Sequence, residues 1–273
     1  MDWHNLITAA AQRTRPHVRR TPVLDVDLPG VGPVQLKLEH LQHTGSFKAR
    51  GAFNTLLSEP VPAAGVVAAS GGNHGAAVAY AARTLGHAAR IFVPELAGPA
   101  KIALIRAQGA ELEVVPGLYA DAAARAQAYG QATGALQIHP YDAPATVAGQ
   151  GSLMLEWQEQ GLNADTVLIA VGGGGLIAGA MAWTRGAPKI IAVEPELAPT
   201  LHQALRHGPD TTVTVGGIAA NALGASCARA GSGPLLWHHR GRGRLSGSGR
   251  GPDHGRYGRC GWRQGRWPQC RRP

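Results

Sequence analysis

The sequence has little cysteine and no long apolar run. Its three cysteines, Cys227, Cys260 and Cys270, all lie late in the chain, and they match neither a disulfide framework nor a zinc-binding pattern. Because no apolar run reaches the roughly 18 residues of a membrane-spanning helix, we expect no membrane segment. The N-terminus shows no charged segment followed by an apolar one, so we also expect no secretory signal and a cytoplasmic location.

Acidic residues are nearly absent from the end of the chain. Residues 227–273 hold eleven arginines and one acid, Asp253, whereas residues 1–226 carry 15 basic and 16 acidic side chains. The net charge of +9 is therefore a property of a tail, and the rest of the chain gives no reason to expect a nucleic-acid partner.

The tail also lacks apolar periodicity. Residues 226–273 contain eleven glycines among the arginines, a composition that cannot bury enough apolar surface to fold. One interpretation is an Arg/Gly-rich segment that binds nucleic acid. We favour another, in which the gene is read out of frame from near Ala225 and the C-terminal part of the fold is degraded.

Short apolar strands alternate with alanine-rich helices over most of the remaining chain. After a helix over 4–15, a strand over 34–39 and a helix over 47–57, we predict strands at 66–69, 89–94, 111–115, 136–140, 166–171 and 189–194, separated by helices at 74–85, 99–108, 120–133, 147–160 and 175–185. This alternation predicts an α/β protein with mostly parallel sheets covered by helices. We expect a large discontinuous domain, residues 1–62 and 149–225, with a small α/β domain, residues 63–148, inserted into it.

Two stretches at predicted helix starts carry candidate chemistry. The first is Thr44-Gly45-Ser46-Phe47-Lys48-Ala49-Arg50-Gly51, whose lysine, taken alone, would usually be a solvated side chain. The second is Ser70-Gly71-Gly72-Asn73-His74, whose amides and hydroxyl form an anion site suited to a substrate carboxylate. Ser70 could also simply cap the helix, a less favoured interpretation that is compatible with the anion site.

A third stretch, Val171-Gly172-Gly173-Gly174-Gly175-Leu176, joins a predicted strand to a predicted helix. Consecutive glycines leave the backbone amides open to a dianionic phosphate. Residues 173–178 also satisfy the dinucleotide-binding pattern, with Glu194 placed to bind a ribose. A nicotinamide-dependent enzyme is thus an alternative, although it leaves the first two stretches unexplained.

In their order and spacing, the three stretches resemble the pyridoxal-phosphate-dependent serine/threonine dehydratases and serine racemases, of fold type II (tryptophan synthase β-like). The resemblance runs from about Thr21 to Ala225. It implies pyridoxal 5'-phosphate as cofactor, with Lys48 as the lysine that bonds it and as the catalytic base, and Phe47 packing on its ring. Burial beside an aromatic ring favours the neutral amine that this chemistry needs.

The resemblance also implies roles for the other residues. Asn73 would bind the cofactor's phenolic oxygen, and the phosphate loop would be formed by Gly172, Gly173, Gly174, Gly175 and Leu176. The substrate would be bound by Ser70 (also catalytic), Gly71, Gly72, Asn73, His74 and Gln150. Residues 139–142, His-Pro-Tyr-Asp, would form a domain hinge, and no metal is expected because Asn221 stands where relatives commonly have an acid.

The implied activity is β-elimination and deamination of L-threonine or L-serine to a 2-oxo acid and ammonia. Gly71 occupies the position of the racemases' proton-donating serine, which favours a dehydratase over a racemase. We expect a small amino-acid substrate, a homodimer, and no nucleic-acid or membrane partner. An inactive remnant of such an enzyme is the main alternative.

Overall fold

The computed structural model describes residues 1–228, apart from the side chain of Asn221. The predictions for the tail beyond Ala228, including those for Cys260 and Cys270, lie outside the described residues, as does the comparison of the Asn221 side chain with an acid. No helix of residues 1–228 is long and apolar enough to cross a membrane.

The chain forms nine helices and eight strands within the described residues. The helices are α1 (Trp3–Thr14), α2 (Lys48–Ser58), α3 (Asn73–Thr84), α4 (Pro99–Ala107), α5 (Tyr119–Thr133), α6 (Pro144–Glu159), α7 (Gly175–Thr184), α8 (Thr200–His207) and α9 (Ala220–Leu223). The strands are β1 (Val23–Leu28), β2 (Gly32–Lys37), β3 (Val66–Ala69), β4 (Ala89–Pro94), β5 (Glu111–Val115), β6 (Leu136–Gln137), β7 (Thr166–Ala170) and β8 (Lys189–Val193). Two short 3₁₀ turns, Glu39–Leu41 and His43–Gly45, lead into α2.

A four-stranded parallel sheet forms the centre of residues 66–137, in the order β5-β4-β3-β6. All four residues of β3 are buried, as expected for a parallel strand with both faces covered. Val66 and Ala68 pack with helices α2, α3 and α4 on one face, and Val67 and Ala69 pack with α5 on the other. Because successive side chains of a strand point to opposite faces, β3 contributes residues to two separate apolar cores.

A second, two-stranded parallel sheet is formed by β7 and β8, paired from Thr166↔Lys189 to Ala170↔Val193. Its buried residues pack with α6 and α7. These two helices cross closely at Gly179. A Cβ there would lie only 2.6 Å from the backbone nitrogen of Gly151 and from the carbonyl oxygen of Val147. The α/β architecture with parallel sheets covered by helices is confirmed.

Four details differ from the sequence-based expectation. The antiparallel β1–β2 hairpin was expected only in its second strand, at 34–39 rather than Gly32–Lys37, and α8 and α9 were not foreseen. Strand β6 ends at Gln137 rather than residue 140. The Ile138 amide still donates to Val67 of β3, whereas the Ile138 carbonyl accepts a hydrogen bond from the His74 ring. The expected domain boundary at 148/149 falls inside α6, and the division into two domains stays a prediction.

Candidate active site

Lys48 opens α2 behind a loop with an unusual backbone. Thr44 and Gly45 both have positive φ, 60° and 78°, a conformation that non-glycine residues rarely adopt. The loop turns the Lys48 amine toward the carbonyl oxygen of Pro140, 2.8 Å away, and the amine lies 5.1 Å from the centroid of the Phe47 ring. The hydroxyls of Thr44 and Ser46 are buried and have no hydrogen-bond partner among the described residues.

The surroundings of Lys48 favour its neutral form. Its side chain keeps partial contact with solvent, but the protein atoms packed around the ammonium group desolvate it and lower its pKa from 10.5 to about 8. In the described part of the chain, no acidic side chain opposes this shift. A neutral amine that donates to Pro140 keeps its lone pair free for reaction.

A buried ion-pair network fixes the first turn of α2, two residues beyond Lys48. The Arg50 guanidinium, 1% exposed, bonds Glu39 at 2.8 and 2.9 Å and Glu156 at 2.9 and 3.0 Å. Lys37 donates to Glu156 as well, at 2.5 Å, and to the carbonyl oxygen of Thr21 at 2.8 Å. The network joins α2 to α6 and to the β1–β2 hairpin, and it was missed at the sequence level.

Gln150 lies where α2 and α6 cross. Its side-chain nitrogen packs against the backbone of Gly51, and a Cβ on Gly149 would lie 2.6 Å from the carbonyl oxygen of Arg50. Gln150 is fully buried, and its side-chain oxygen has no hydrogen-bond partner among the described residues. The structure thus places Gln150 beside α2, and its expected contact with substrate stays a prediction.

The start of α3 presents open backbone amides beside Ser70. The Ser70 hydroxyl accepts a hydrogen bond from the Gly72 amide at 3.1 Å, whereas the N–H groups of Gly71, Asn73, His74 and Gly75 donate to no acceptor in the described part of the chain. This arrangement suits a carboxylate at the helix N-terminus. At Gly71 a Cβ would lie 2.6 Å from the Cβ of Ala97, so a side chain there would require Ala97 to move.

His74 is held neutral in the core. Its Nε2 lies 3.0 Å from the carbonyl oxygen of Ile138, so this nitrogen must carry the proton and donate it. Burial, and secondly the positive charge of Lys48, lower the His74 pKa from 6.5 to about 3. His74 is therefore a hydrogen-bond donor to the backbone and not a proton donor at neutral pH.

The glycine loop forms a nest of unbonded amides between β7 and α7. Gly174 has φ +91°, which favours glycine. The six successive N–H groups of residues 172–177 donate to no acceptor among the described residues. Leu176 and Phe47 pack on the same apolar cluster, which brings the first and third sequence motifs together.

Residues 138–141 join all three motifs, a role that sequence reasoning missed. The Ile138 carbonyl binds His74, the Pro140 carbonyl binds Lys48, and the Tyr141 ring lies so close to Gly173 that a Cβ there would overlap it. A Cβ on Gly175 would likewise lie 2.9 Å from the Cα of Tyr141. The expected hinge role of residues 139–142 stays a prediction, but their position at the centre of the site is plain.

The residues present fit pyridoxal phosphate. The desolvated Lys48 amine is a nucleophile suited to an aldehyde, and the N–H groups of residues 172–177, which meet no acceptor among the described residues, are donors suited to a phosphate. Glu194, the candidate ribose ligand of a dinucleotide site, is engaged elsewhere. Its two carboxylate oxygens accept the backbone N–H groups of Leu201 and His202 at the start of α8.

Comparison with known proteins gives the same assignment. The model of a family described as pyridoxal-phosphate-dependent enzymes matches residues 14–246, which extends past the expected limit at Ala225. The chain is 38% identical to an L-threonine ammonia-lyase of Geobacter sulfurreducens, covering 82% of this chain and 59% of that protein. It is 41% identical to an L-threonine ammonia-lyase of Thermotoga maritima, covering 65% of this chain and 45% of that protein.

Solved structures show the same fold. A threonine deaminase from T.th. superposes with a TM-score of 0.76 at 37% identity, covering 85% of this chain and 78% of that one. A maize serine racemase superposes with a TM-score of 0.76 at 31% identity, covering 86% and 72%. The chain spans little more than half the length of the Geobacter protein.

Proposed function

This chain belongs to the family of pyridoxal-phosphate-dependent enzymes, and on that premise we propose that it is an ammonia-lyase that converts L-threonine or L-serine to a 2-oxo acid and ammonia. The proposal rests on one observation: residues 138–141 contact the desolvated Lys48, the start of α3 that suits a carboxylate, and the glycine loop that suits a phosphate. Relatives named L-threonine ammonia-lyase support this reaction class, and a relative named phenylserine dehydratase, 40% identical, supports a β-hydroxy amino acid as substrate.

The cofactor, when bound, withdraws electrons from the substrate and makes its α-hydrogen acidic. We assign it to Lys48 for the covalent bond, Phe47 for ring packing, Asn73 for the phenolic oxygen, and Gly172, Gly173, Gly174, Gly175 and Leu176 for the phosphate. These assignments are supported by the lowered pKa of the desolvated Lys48 amine, by the N–H groups of residues 172–177, which meet no acceptor among the described residues, and by the shared packing of Phe47 and Leu176.

The remaining residues bind and orient the substrate. The amides at the start of α3, with Ser70, Gly71, Gly72, Asn73 and His74, hold the substrate carboxylate, and Gln150 lies on the substrate side. The Lys48 amine takes up the α-proton. The β-hydroxyl leaves with its bonding electrons and a proton, as water, and the resulting enamine tautomerises and is hydrolysed to the 2-oxo acid and ammonia.

Gly71 supports elimination over racemisation. A racemase needs a second proton donor on the face opposite the lysine, and Gly71 offers none. The 2.6 Å approach of its missing Cβ to Ala97 means that Gly71→Ser alone would strain the site. We therefore expect no D-serine from L-serine in the unsubstituted protein, and chiral chromatography of the product checks this expectation.

We further propose a cytoplasmic homodimer without bound metal, composed of a large domain (residues 1–62 and 149–225) and an inserted small domain (residues 63–148). The four-stranded sheet lies wholly inside the proposed small domain and the β7–β8 sheet inside the large one. Sedimentation velocity tests the dimer, and limited proteolysis tests the domain boundaries.

The decisive test is the visible absorption of the purified protein with added pyridoxal phosphate, followed by assay of 2-oxo acid from L-threonine and L-serine. The expected result is a band for lysine-bound cofactor and 2-oxo acid formation, both absent from Lys48→Ala. Lys101→Ala, which removes a lysine from α4, is the matched control and should retain both. A band without turnover would support an inactive remnant, and a folded protein with no band would refute the cofactor assignment.

A further inference from the structure

Two consecutive residues hold the opposite ends of the site. The Pro140 carbonyl accepts the hydrogen bond from the Lys48 amine, at 2.8 Å. The Tyr141 backbone and ring then press against Gly175 and Gly173 of the glycine loop. The amine and the loop are therefore tied to neighbouring positions of one short segment, although they are separated by more than 120 residues in sequence.

Tyr141 is itself held firmly. It is 8% exposed, its amide donates to Nδ1 of His139 at 3.3 Å, and its ring packs edge-on against the His139 ring with centroids 4.8 Å apart. Its hydroxyl lies 3.5 Å from the sulfur of Cys227. Contacts at the backbone, the ring and the hydroxyl leave the side chain little freedom to turn away from the loop.

The glycine loop, in contrast, has few restraints of its own. It has no side chain from residue 172 to 175, and the N–H groups of residues 172–177 bind no acceptor among the described residues. It lies between Tyr141 and Leu223, since a Cβ on Gly172 would lie 3.0 Å from the Leu223 carbonyl oxygen. The Tyr141 ring thus acts as the surface on which one side of the loop rests.

We propose that the Pro140–Tyr141 pair sets the spacing between the Lys48 amine and the glycine loop, and that Tyr141 is a positioning residue for the cofactor phosphate. The inference rests on the proposed function, because it takes Lys48 and the loop as the two ends of one cofactor site. A cofactor of fixed length bonds the lysine at one end and places its phosphate at the other, so a displaced loop would lose the phosphate while the lysine stayed reactive.

The test compares pyridoxal phosphate with pyridoxal, which has the same aldehyde but no phosphate. Both are titrated into the full chain, and the visible band of the lysine-bound form gives each dissociation constant. We expect Tyr141→Ala to weaken pyridoxal phosphate roughly tenfold or more and to leave the pyridoxal affinity nearly unchanged. Tyr141→Phe, which keeps the ring, should behave as the unsubstituted protein does.

A reciprocal pair of substitutions sharpens the test. The new Cβ of Gly173→Ala would overlap the Tyr141 ring, so this variant should also lose its preference for the phosphorylated compound. The double variant Gly173→Ala/Tyr141→Ala should recover part of that preference, because the ring no longer occupies the space. Tyr129→Ala is the matched control, because Tyr129 lies away from the loop, on α5, where its ring packs against Phe92 with centroids 5.7 Å apart. This variant should leave the preference for the phosphorylated compound intact.

Inorganic phosphate is a second probe that does not depend on Lys48. Phosphate should raise the thermal midpoint of the cofactor-free protein and of Lys48→Ala, but not that of Tyr141→Ala. If Tyr141→Ala does not fold, Tyr141→Leu replaces it. Equal weakening of both pyridoxal compounds, an unchanged preference, or phosphate protection that persists without the ring would overturn the inference. No visible band, together with Tyr141-dependent phosphate protection, would refute the proposed function and the Lys48-to-loop spacing, and would keep only the role of Tyr141 in holding the loop for a phosphate.

Discussion

Replacing Arg50 by methionine should destabilise the protein strongly, because it breaks a buried ion-pair network. The Arg50 side chain is 1% exposed, and it makes four hydrogen bonds to Glu39 and Glu156, whose side chains are 13% and 12% exposed. Methionine fills much of the volume but leaves two nearly buried carboxylates that have, among residues 1–228, only Lys37 and Thr21 as partners. Removing one partner of a buried pair costs about 3–5 kcal/mol.

Such a loss is a large fraction of the roughly 5–15 kcal/mol by which folded proteins are stable. Urea unfolding of the cofactor-free protein, followed by tryptophan fluorescence, measures it. Arg15→Met is the matched control, because Arg15 forms an exposed pair with Glu159 at 3.4 Å, and exposed pairs contribute about 0–1 kcal/mol. Arg50→Lys keeps the charge but not the geometry of the four hydrogen bonds, so its loss of stability should lie between those of Arg50→Met and Arg15→Met.

The pH dependence provides a second check on the same network. Burial opposes ionisation of Glu156, but the hydrogen bonds and charges of Arg50 and Lys37 outweigh it and lower the Glu156 pKa below 4.5. The stabilisation from this carboxylate is therefore complete above pH 4.5 and is lost as the pH falls through its lowered native pKa. The difference in free energy of unfolding between the unsubstituted protein and Arg50→Met should therefore become smaller as the pH is lowered. A loss no larger than that of Arg15→Met, at any pH, would refute the reasoning.

Three further predictions follow from the site and from the helix crossings. The rate at which pyridoxal phosphate bonds Lys48 should rise with pH, reach half its maximum near pH 8 and level off above that, because burial lowers the lysine pKa to about 8. A rate independent of pH below pH 8, by stopped-flow absorbance, would contradict this. Stability should fall between about pH 6.5 and pH 3, because the unfolded chain takes up a proton that native His74 refuses, and His74→Gln should flatten this slope in urea midpoints. Gly179→Ala should cost about 1–3 kcal/mol by forcing α6 and α7 apart. Gly216→Ala, whose Cβ would meet no described atom within 4 Å, should stay within about 0.5 kcal/mol in the same assay.

The glycine loop shows both the reach and the limit of a sequence argument. Its composition predicts an anion nest, and the free amides of residues 172–177 agree. The same residues also fit a dinucleotide pattern with Glu194 as the ribose ligand. The folded chain argues against the dinucleotide interpretation, because both carboxylate oxygens of Glu194 accept N–H groups at the start of α8. This helix was not foreseen, although it begins within eight residues of Glu194.

The sequence named Arg50 in a motif and Tyr141 in an expected hinge, but the roles of Arg50 in the ion-pair network and of Tyr141 against the glycine loop were missed, for different reasons. Arg50 stands in the first turn of a predicted apolar helix, and a charged residue at such a buried position is a signal that could have been followed to acidic partners. Its partner Glu156, however, is 106 residues away, and no local pattern selects it from the chain's other acids. Tyr141 shows no polar motif at all, because its role comes from the shape of its ring against a backbone.

The sequence by itself determined the alternation of strands and helices, the lysine at a helix start and the two nests of amides. These features depend on periodicity, on glycine and on helix termini, all of which are properties of neighbouring residues. Only the tertiary structure decided that residues 138–141 join the three motifs, that His74 is neutral and that a charged network is buried around Arg50, two residues beyond Lys48. Hydrogen bonds such as the one from Lys48 to Pro140 join residues 92 positions apart, and desolvation depends on everything packed around a group, so neither can be read from local sequence.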